Sequence, residues 1–125
     1  MITLKTLSQA TPQQVFDHVV NHLLTQNEKA VVGGEEVNND CRYRLNNLKC
    51  AAGCLIGDEE YRDTFEGLDW RYLVGIGAVP DAHSDLIVKL QRIHDIGEPE
   101  EWLYFLKQLA ESEGLTFNWR TNDNT

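Results

Sequence analysis

The stretch CRYRLNNLKCAAGCLIGDEEY, residues 41–61, contains all three cysteines of this 125-residue chain, together with two arginines and three acidic residues. The thiols follow the spacing C-x8-C-x3-C, so they could bind a metal, react with a substrate or pack in a core. Structural zinc sites mostly combine two short chelating pairs, whereas this stretch has a single close pair. Unpaired cysteines are among the most frequently buried residues. We therefore interpret the stretch as part of the hydrophobic core.

The first half of this stretch has the alternation of a small β-hairpin. Apolar and polar residues alternate along CRYRL, and the Asn-Asn pair at 46–47 can adopt the positive φ angles of a two-residue turn. Side chains two residues apart on a strand point to the same side. The pattern therefore predicts that Arg42 and Arg44 share one face while Cys41 and Tyr43 share the other.

Acidic residues follow the hairpin, and aromatic residues come soon after them. Because arginine and tryptophan are favoured anchors of protein interfaces, we predict a binding surface here. Pairing between these arginines and the nearby acids within the chain is an equally good interpretation. The predicted binding residues are Arg42, Arg44, Asp58, Glu59, Glu60 and Trp70.

Ahead of the hairpin, residues 11–27 (TPQQVFDHVVNHLLTQN) predict an amphipathic helix. Thr11 is a good N-cap, Pro12 suits the first turn, and Gln14 can return a hydrogen bond to the cap. Apolar residues then recur at helical spacing on one face, and Asn27 is the predicted end. Glycine and asparagine pairs between residues 28 and 40 predict a loop or a short edge strand.

After the hairpin, the sequence predicts a short helix that opens at Asp58 and ends at Gly67. Two longer helices are predicted over residues 83–97 and 98–114, the second beginning with a proline and ending with a glycine. Candidate caps of the 83–97 helix are Ser84 and Asp81. The segment 69–81 contains two glycines and a proline, so it is predicted to be a packed connection or a brief strand.

These elements predict a helix-dominated α+β domain with a short β-hairpin. A chain of this length falls in the commonest size range of a single domain. We predict one globular domain over residues 1–119 and a flexible polar tail over residues 120–125. Residues 115–119 (LTFNW) are predicted either to pair as a short strand or to pack over the core.

Composition is that of an ordinary globular protein, with 42% apolar and 25% charged residues. No apolar run approaches the roughly 18 residues that a membrane span needs, and the N-terminal residues form no continuous apolar stretch. An odd number of cysteines favours a reducing compartment, in which they stay thiols. We therefore expect a cytoplasmic protein with no membrane partner.

The net charge of −9 is confined to the second part of the chain. Residues 1–57 carry five acids and five bases, whereas residues 58–125 carry fifteen acids and six bases. Such a surface repels phosphates and attracts basic proteins, so we expect no direct nucleic acid binding. Solubility alone also explains an acidic surface, and association into a homo-oligomer is a further alternative.

Other patterns typical of metal or phosphate sites are incomplete. His18 and His22 lie four residues apart on the first helix, but the glutamate of an H-E-x-x-H site is missing. Because both lie off the apolar stripe, we interpret them as solvated residues at its flank. Neither a calcium loop nor a phosphate-binding glycine loop occurs. The sequence predicts no metal and no cofactor.

A thiol-dependent site is the alternative chemistry. Cys54 lies near a predicted helix start, where a helix dipole could lower the pKa of its thiol. The candidate base is His94, which faces inward at helical spacing from Leu90, whereas Asp95 is predicted to point to another side. A core histidine bonded to a carbonyl or hydroxyl is the simpler interpretation.

Several segments resemble a family of small uncharacterised proteins encoded by bacteriophages and bacteria. They are CRYR at 41–44, LKCAAGCLIGDEEY at 48–61, the Glu66-Gly67 pair, LQRIHD at 90–95 and EEW at 100–102. The resemblance covers residues 15–115 in the same order. It implies a phage or prophage setting, hence the host cytoplasm, where small acidic proteins often bind and disable a host protein.

The sequence thus predicts a small acidic protein that binds a host macromolecule, most simply a protein, without catalysis. The alternative is a small-molecule-binding protein or thiol-dependent enzyme with a pocket near Cys54 and His94. The first hypothesis predicts an exposed acidic or aromatic patch and unreactive cysteines. The second predicts a concave pocket in which a thiol, an imidazole and Arg42 or Arg44 converge.

Overall fold

The fold is taken from a computed structural model that describes residues 2–32 and 40–119. Four helices and two short antiparallel strand pairs form a helix-dominated α+β domain, which confirms the predicted fold class. The predicted tail at 120–125 and the turn signals at 33–34 and 38–39 lie outside the described residues.

Helix α1 (Pro12–Gln26) begins and ends as predicted. The Thr11 side chain accepts a hydrogen bond from the Gln14 amide, and the Gln14 side chain accepts one from the Thr11 amide, which completes a capping box. Asn27 ends the helix in the left-handed conformation, with φ of 53°. The apolar stripe buries Phe16 and its helical neighbours in the core.

Strand β1 (Val31–Val32) pairs with β2 (Asp40–Cys41), and β3 (Arg44–Leu45) pairs with β4 (Leu48–Lys49). The β3–β4 pair is the predicted hairpin, with a turn at 46–47 in which Asn46 has φ of 57°. It is shorter than the alternation suggests, because Cys41 belongs to β2 and pairs with Val31. The chain leaves the strand conformation between Cys41 and Arg44.

The predicted helix from Asp58 to Gly67 is wrong. Residues 58–60 form a turn, and a single 3-10 turn follows at Asp63–Phe65. Arg62 is extended between them, with φ of −131°. A long-range contact explains the difference, since the Glu60 side chain is captured by backbone amides from the N-terminal segment.

The prediction for residues 69–81 is also wrong, because helix α2 (Trp70–Gly75) lies there. The Asp69 carboxylate accepts a hydrogen bond from the Tyr72 amide at 2.8 Å and caps the helix. The glycines fall at and beyond its C-terminal end, where Gly77 adopts a positive φ of 78°. They therefore end the helix rather than prevent it.

Helices α3 (Ser84–Ile96) and α4 (Pro99–Glu113) confirm the two longer predictions. His83, rather than Ser84 or Asp81, occupies the N-cap of α3, in the left-handed conformation. Gly114 ends α4 with φ of 70°. Residues 115–119 pack over the core without forming a strand, and the Phe117 ring meets the Phe16 ring edge-on at 6.4 Å.

The core lies between α1, α3 and α4, which contact one another, and α2 packs against α3. The segment 50–56 closes the core below the hairpin, with its backbone pressed against Tyr43. A Cβ atom on Gly53 would lie 2.1 Å from the Tyr43 carbonyl oxygen, so only glycine fits there. No helix in the described ranges is long and apolar enough to cross a membrane.

Candidate ligand groove

The structure places Arg44 in an internal network. Its guanidinium binds the Asp58 carboxylate at 2.8 Å through Nη1, donates to the Ile56 carbonyl at 2.7 Å through Nη2, and lies over the Tyr61 ring. Lys49 reaches the same Asp58 oxygen at 3.8 Å. Pairing within the chain therefore accounts for Asp58 and for both terminal nitrogens of Arg44, whereas Arg44 Nε is buried without a partner among the described residues. We call Arg44, Asp58, Glu60, Tyr61 and Glu66 the Arg44 corner.

Glu60 fastens the N-terminal segment to this corner. Its carboxylate accepts hydrogen bonds from the amides of Gly57, Leu4 and Lys5 at 2.7, 2.8 and 3.0 Å. Desolvation acts to raise the pKa of Glu60, but these three hydrogen bonds outweigh it and hold the pKa below its ordinary value. Neighbouring Glu59 is exposed. Of the predicted acids, Glu60 is thus a structural residue.

Sequence reasoning missed Glu66, which organises the corner. Its carboxylate accepts hydrogen bonds from the amides of Tyr43 and Arg44 at 2.9 and 3.1 Å, and from the Tyr61 hydroxyl at 2.6 Å. Desolvation, followed by this hydrogen bond, raises the pKa of Tyr61 to about 12. Only the resemblance singled out the Glu66-Gly67 pair, since no local pattern predicts a partner more than twenty residues away.

A groove of about 600 Å³ is bordered by four parts of the chain. They are β2 and the two residues that follow it, the loop at 67–69, helix α2 and helix α3. Its wall includes Cys41, Arg42, Tyr43, Trp70, Arg92 and Asp95. This volume is typical of small-molecule sites, which range over roughly 300–1,000 Å³. The predicted residues Arg42 and Trp70 meet here, whereas Arg44 does not line the groove.

Trp70 forms part of the groove wall and is not an exposed interface residue. Its side chain is only 2% exposed and meets the Tyr43 ring edge-on at 6.4 Å. The indole Nε1 donor is buried and finds no hydrogen-bond partner among the described residues. A buried unsatisfied donor costs about 1–3 kcal/mol, so this wall holds a polar group that the fold leaves unpaired.

The thiol beside His94 is that of Cys41, not that of Cys54. Ligand atoms of Cys41, His94 and Asp95 lie within 4.8 Å of one another, with Cys41 and Asp95 at the groove. The prediction that Asp95 points away from His94 is wrong, because Asp95 Oδ1 lies 2.9 Å from His94 Nδ1. A Cys-His-Asp set has the donor chemistry of a zinc site.

The hydrogen bonds of His94 argue against two roles for its ring, that of a metal ligand and that of a general base. The Ala30 amide donates to His94 Nε2 at 3.1 Å, so Nε2 offers its lone pair to the backbone. Nδ1 must then carry the proton of the neutral ring, which it donates to Asp95. The ring also stacks on Trp102. His94 is a core residue as predicted, although its partners are a backbone amide and a carboxylate rather than a carbonyl or hydroxyl. Both nitrogens are engaged, so neither is left for an ion or a thiol proton.

The other two thiols are inert. Burial raises the pKa of Cys50 well above its ordinary value. Burial likewise raises the pKa of Cys54 to about 12, and its Sγ donates to the Ala51 carbonyl. All three cysteines are thiols, as predicted.

The interpretation of His18 and His22 as solvated residues is wrong. Both are half-buried, and their Nε2 atoms donate to the carbonyl oxygens of Cys54 and Lys49 at 3.0 and 2.9 Å. Desolvation lowers the pKa of His22. The two rings attach α1 to the hairpin and the segment that follows it.

A second exposed apolar surface lies where α3 meets α4, and it shares Ile96 with the lining of the groove. Ile96 is 68% exposed, Tyr104 62% and Phe105 37%, and the two aromatic rings contact each other. Exposed Glu100 and Glu101 precede them by one helical turn. We call these five residues the α4 patch.

Comparison of the chain with protein-family models, with curated proteins and with solved structures finds no match in any of the three.

Proposed function

We propose that this chain is a non-catalytic binding protein whose ligand is a small molecule held in the groove. The observation that carries the proposal is the groove itself, in which a thiol, a carboxylate, guanidinium groups and aromatic walls converge around a volume of ligand size. This is the kind of pocket expected for the small-molecule alternative, formed around Cys41 and Arg42 instead of Cys54.

The states of Cys50, Cys54 and His94 support binding without catalysis. Cys50 and Cys54 have raised pKa values, and both nitrogens of His94 are engaged in hydrogen bonds. A thiol nucleophile needs an available base or a lowered pKa. These observations give no activated nucleophile at Cys50 or Cys54 and no available base at His94.

Blocking the groove tests this proposal. The probes are two environment-sensitive dyes, N-phenyl-1-naphthylamine and its sulfonated relative 1-anilinonaphthalene-8-sulfonate, followed by fluorescence titration. Val88 is half-buried in the groove wall, so Val88→Trp should fill it and abolish saturable binding. Leu103→Trp, a half-buried position on α4 outside the groove, is the matched control and should bind as wild type does. Binding that survives Val88→Trp, or no saturable binding of either dye, would reject the proposal.

The α4 patch favours a second candidate function, the docking of a basic protein of a bacterial host. Aromatic residues flanked by acids suit a partner that presents cationic and apolar side chains.

A pull-down from bacterial lysate at low and high salt tests this docking. One abundant basic partner should be lost at high salt and with Tyr104→Ser, but kept with Tyr72→Ser, an exposed tyrosine on α2. Light scattering of the purified chain separates this result from self-association through the patch.

A further inference from the structure

We propose that one face of α1 is a docking site for an extended peptide, and that residues 115–119 of the same chain fill this site as an intramolecular ligand. An extended segment of similar sequence in a partner protein displaces them and docks in their place. The face is separate from the groove, because none of the α1 residues lines the groove.

Gln13 recognises the backbone of this segment. Its Nε2 donates to the Thr116 carbonyl at 2.8 Å, and its Oε1 accepts from the Thr116 amide at 2.9 Å. One side-chain amide thus forms the pair of hydrogen bonds that a residue of a neighbouring β-strand would form with Thr116. Because only backbone atoms of Thr116 take part, this contact accepts any extended residue that has an amide proton.

The side chains that follow provide selectivity. The Phe117 ring meets the buried Phe16 ring edge-on at 6.4 Å, and Lys107 Nζ lies 5.8 Å from the centroid of the Phe117 ring. Asn118 Nδ2 donates to both carboxylate oxygens of Asp17 at 3.3 Å. Main-chain hydrogen bonds combined with side-chain contacts are the usual means by which proteins bind extended peptides. The face therefore fits an aromatic residue followed by an amide.

The contacts advance together along the helix and the segment. Gln13, Phe16, Asp17 and Val20 lie on one face of α1, and Trp119 lines a cleft with the last two. From residue 13 to residue 20 the helix rises about 10.5 Å, and an extended chain covers about 10 Å from residue 116 to residue 119. The two lengths match, so an extended segment stays in register with the face.

Few bonds hold the segment in place. The Leu115 amide donates to the Ala110 carbonyl at 2.8 Å, whereas residues 116–119 form no backbone–backbone hydrogen bond within the described ranges. Their side-chain contacts to α1 are exposed hydrogen bonds, and both of their aromatic side chains are half-buried. Segments of this kind open locally while the core stays folded. The face thus becomes available to a partner without unfolding of the domain.

An NMR titration of the full chain with a peptide tests the proposal, with the Gln13 side-chain amide as the reporter. The probe is the peptide LTFNW, and its control is LTSNW, in which serine replaces the aromatic residue. Phe117→Ser weakens the hold of the chain's own segment and should give saturable binding of LTFNW. Wild type should bind LTFNW at least about tenfold more weakly, because its site is already filled. LTSNW should bind Phe117→Ser at least about tenfold more weakly than LTFNW does.

Phe105→Ser is the matched control, since it removes an exposed phenylalanine of the α4 patch and should behave as wild type. Thr116→Pro is a second variant, which removes the amide that donates to Gln13 and should also admit LTFNW. It decides the question if circular dichroism shows that Phe117→Ser is unfolded.

Three results would overturn the inference. They are a lack of saturable LTFNW binding to the folded variants, equal binding of LTFNW and LTSNW, and equal binding of LTFNW to wild type and to Phe117→Ser. The dye titrations of the groove involve no residue of α1, so each of these results leaves the proposed function in place.

Discussion

The Arg44 corner and the groove contain the same residue types, yet they use them differently. At the corner, the carboxylates of Asp58, Glu60 and Glu66 all receive donors from within the chain. At the groove, Asp69 and Asp95 are likewise occupied. Each region contains one buried donor without a partner among the described residues, Arg44 Nε at the corner and Trp70 Nε1 in the groove wall. The groove differs in that it also contains an exposed arginine, Arg92.

The difference separates residues that stabilise the fold from residues that can recognise a ligand. Removal of a carboxylate at the corner leaves partly buried amides or the Arg44 guanidinium without that acceptor, which is costly. Removal of an unpaired donor from the groove takes away no hydrogen bond of the folded chain. Mutations of the paired carboxylates at the corner should therefore reduce stability, whereas mutation of exposed Arg92 at the groove should leave stability nearly unchanged.

The largest effect is expected for Gly53→Ala, which tests how rigidly the segment 50–56 is held against the Tyr43 backbone. The new Cβ atom would lie 2.1 Å from the Tyr43 carbonyl oxygen, and backbone rather than a flexible side chain would have to move. We expect a loss of about 3 kcal/mol in the free energy of unfolding, measured by chemical denaturation.

Gly75→Ala is the matched control, since a Cβ atom there meets nothing within 4 Å and φ is not positive. It should be neutral or stabilise the protein by about 0.5 kcal/mol. Equal effects of the two substitutions would show that the segment 50–56 adjusts freely beneath the hairpin.

Glu66→Gln should have the next largest effect, a loss of about 2 kcal/mol. The carboxylate accepts three hydrogen bonds, and an amide offers one oxygen and no charge in its place. Urea denaturation measures the loss. Asp63→Asn removes the same charge from an exposed position nearby and should cost less than about 0.5 kcal/mol. A cost for Glu66→Gln as small as that control would contradict the role given to Glu66.

Glu60→Gln tests the role of the corner through the pH dependence of the free energy of unfolding. Because the pKa of folded Glu60 lies below its ordinary value, its contribution is present above the ordinary glutamate pKa of about 4.3 and is lost as pH falls through the folded pKa. At neutral pH the variant should lose about 1 kcal/mol, a value reduced by partial exposure.

Stability measured from pH 7 down to pH 3 checks this sign. Wild type should lose more stability over the acid range than Glu60→Gln does, and Glu59→Gln, an exposed neighbour, should follow wild type. Parallel curves for wild type and Glu60→Gln would contradict the assignment of Glu60 to the network.

The smallest effect concerns the groove, in a comparison of Trp70→Phe with Trp102→Phe. Both indoles are buried, but Trp102 Nε1 donates to the Gly97 carbonyl at 3.2 Å, whereas Trp70 Nε1 has no partner among the residues that the structure describes. Trp70→Phe should therefore cost about 1 kcal/mol less than Trp102→Phe, because only the latter leaves an acceptor unpaired. A larger cost for Trp70→Phe would show that its donor is satisfied in solution.

Sequence patterns predicted the parts of the fold that depend on contacts between residues close together in the sequence. The Thr11–Gln14 capping box, the Gly114 helix end and the turn at 46–47 each involve residues at most four apart, so spacing alone was sufficient. The same reasoning failed at Glu60, where amides 55 and 56 residues away capture the carboxylate and prevent the expected helix.

The candidate site was predictable only in part. Arg42 and Trp70 were recognised by residue type, but the strand alternation that placed Arg42 beside Arg44 does not hold, because the chain leaves the strand conformation between Cys41 and Arg44. Residues of α3 complete the groove, and the pairing of Cys41 with His94 depends on tertiary packing. No spacing within the sequence indicates that Cys41 rather than Cys54 meets the histidine.

The hydrogen bond from the Ala30 amide to His94 should protect the Ala30 amide proton from exchange with solvent. It joins positions 64 residues apart, and both residues are fully buried. This amide can exchange its proton only when β1 separates from α3, which requires opening of the core. In deuterated solvent, Ala30 should therefore be among the slowest amides and report the global free energy of unfolding, whereas exposed amides of the turn at 58–60 should exchange through local fluctuations.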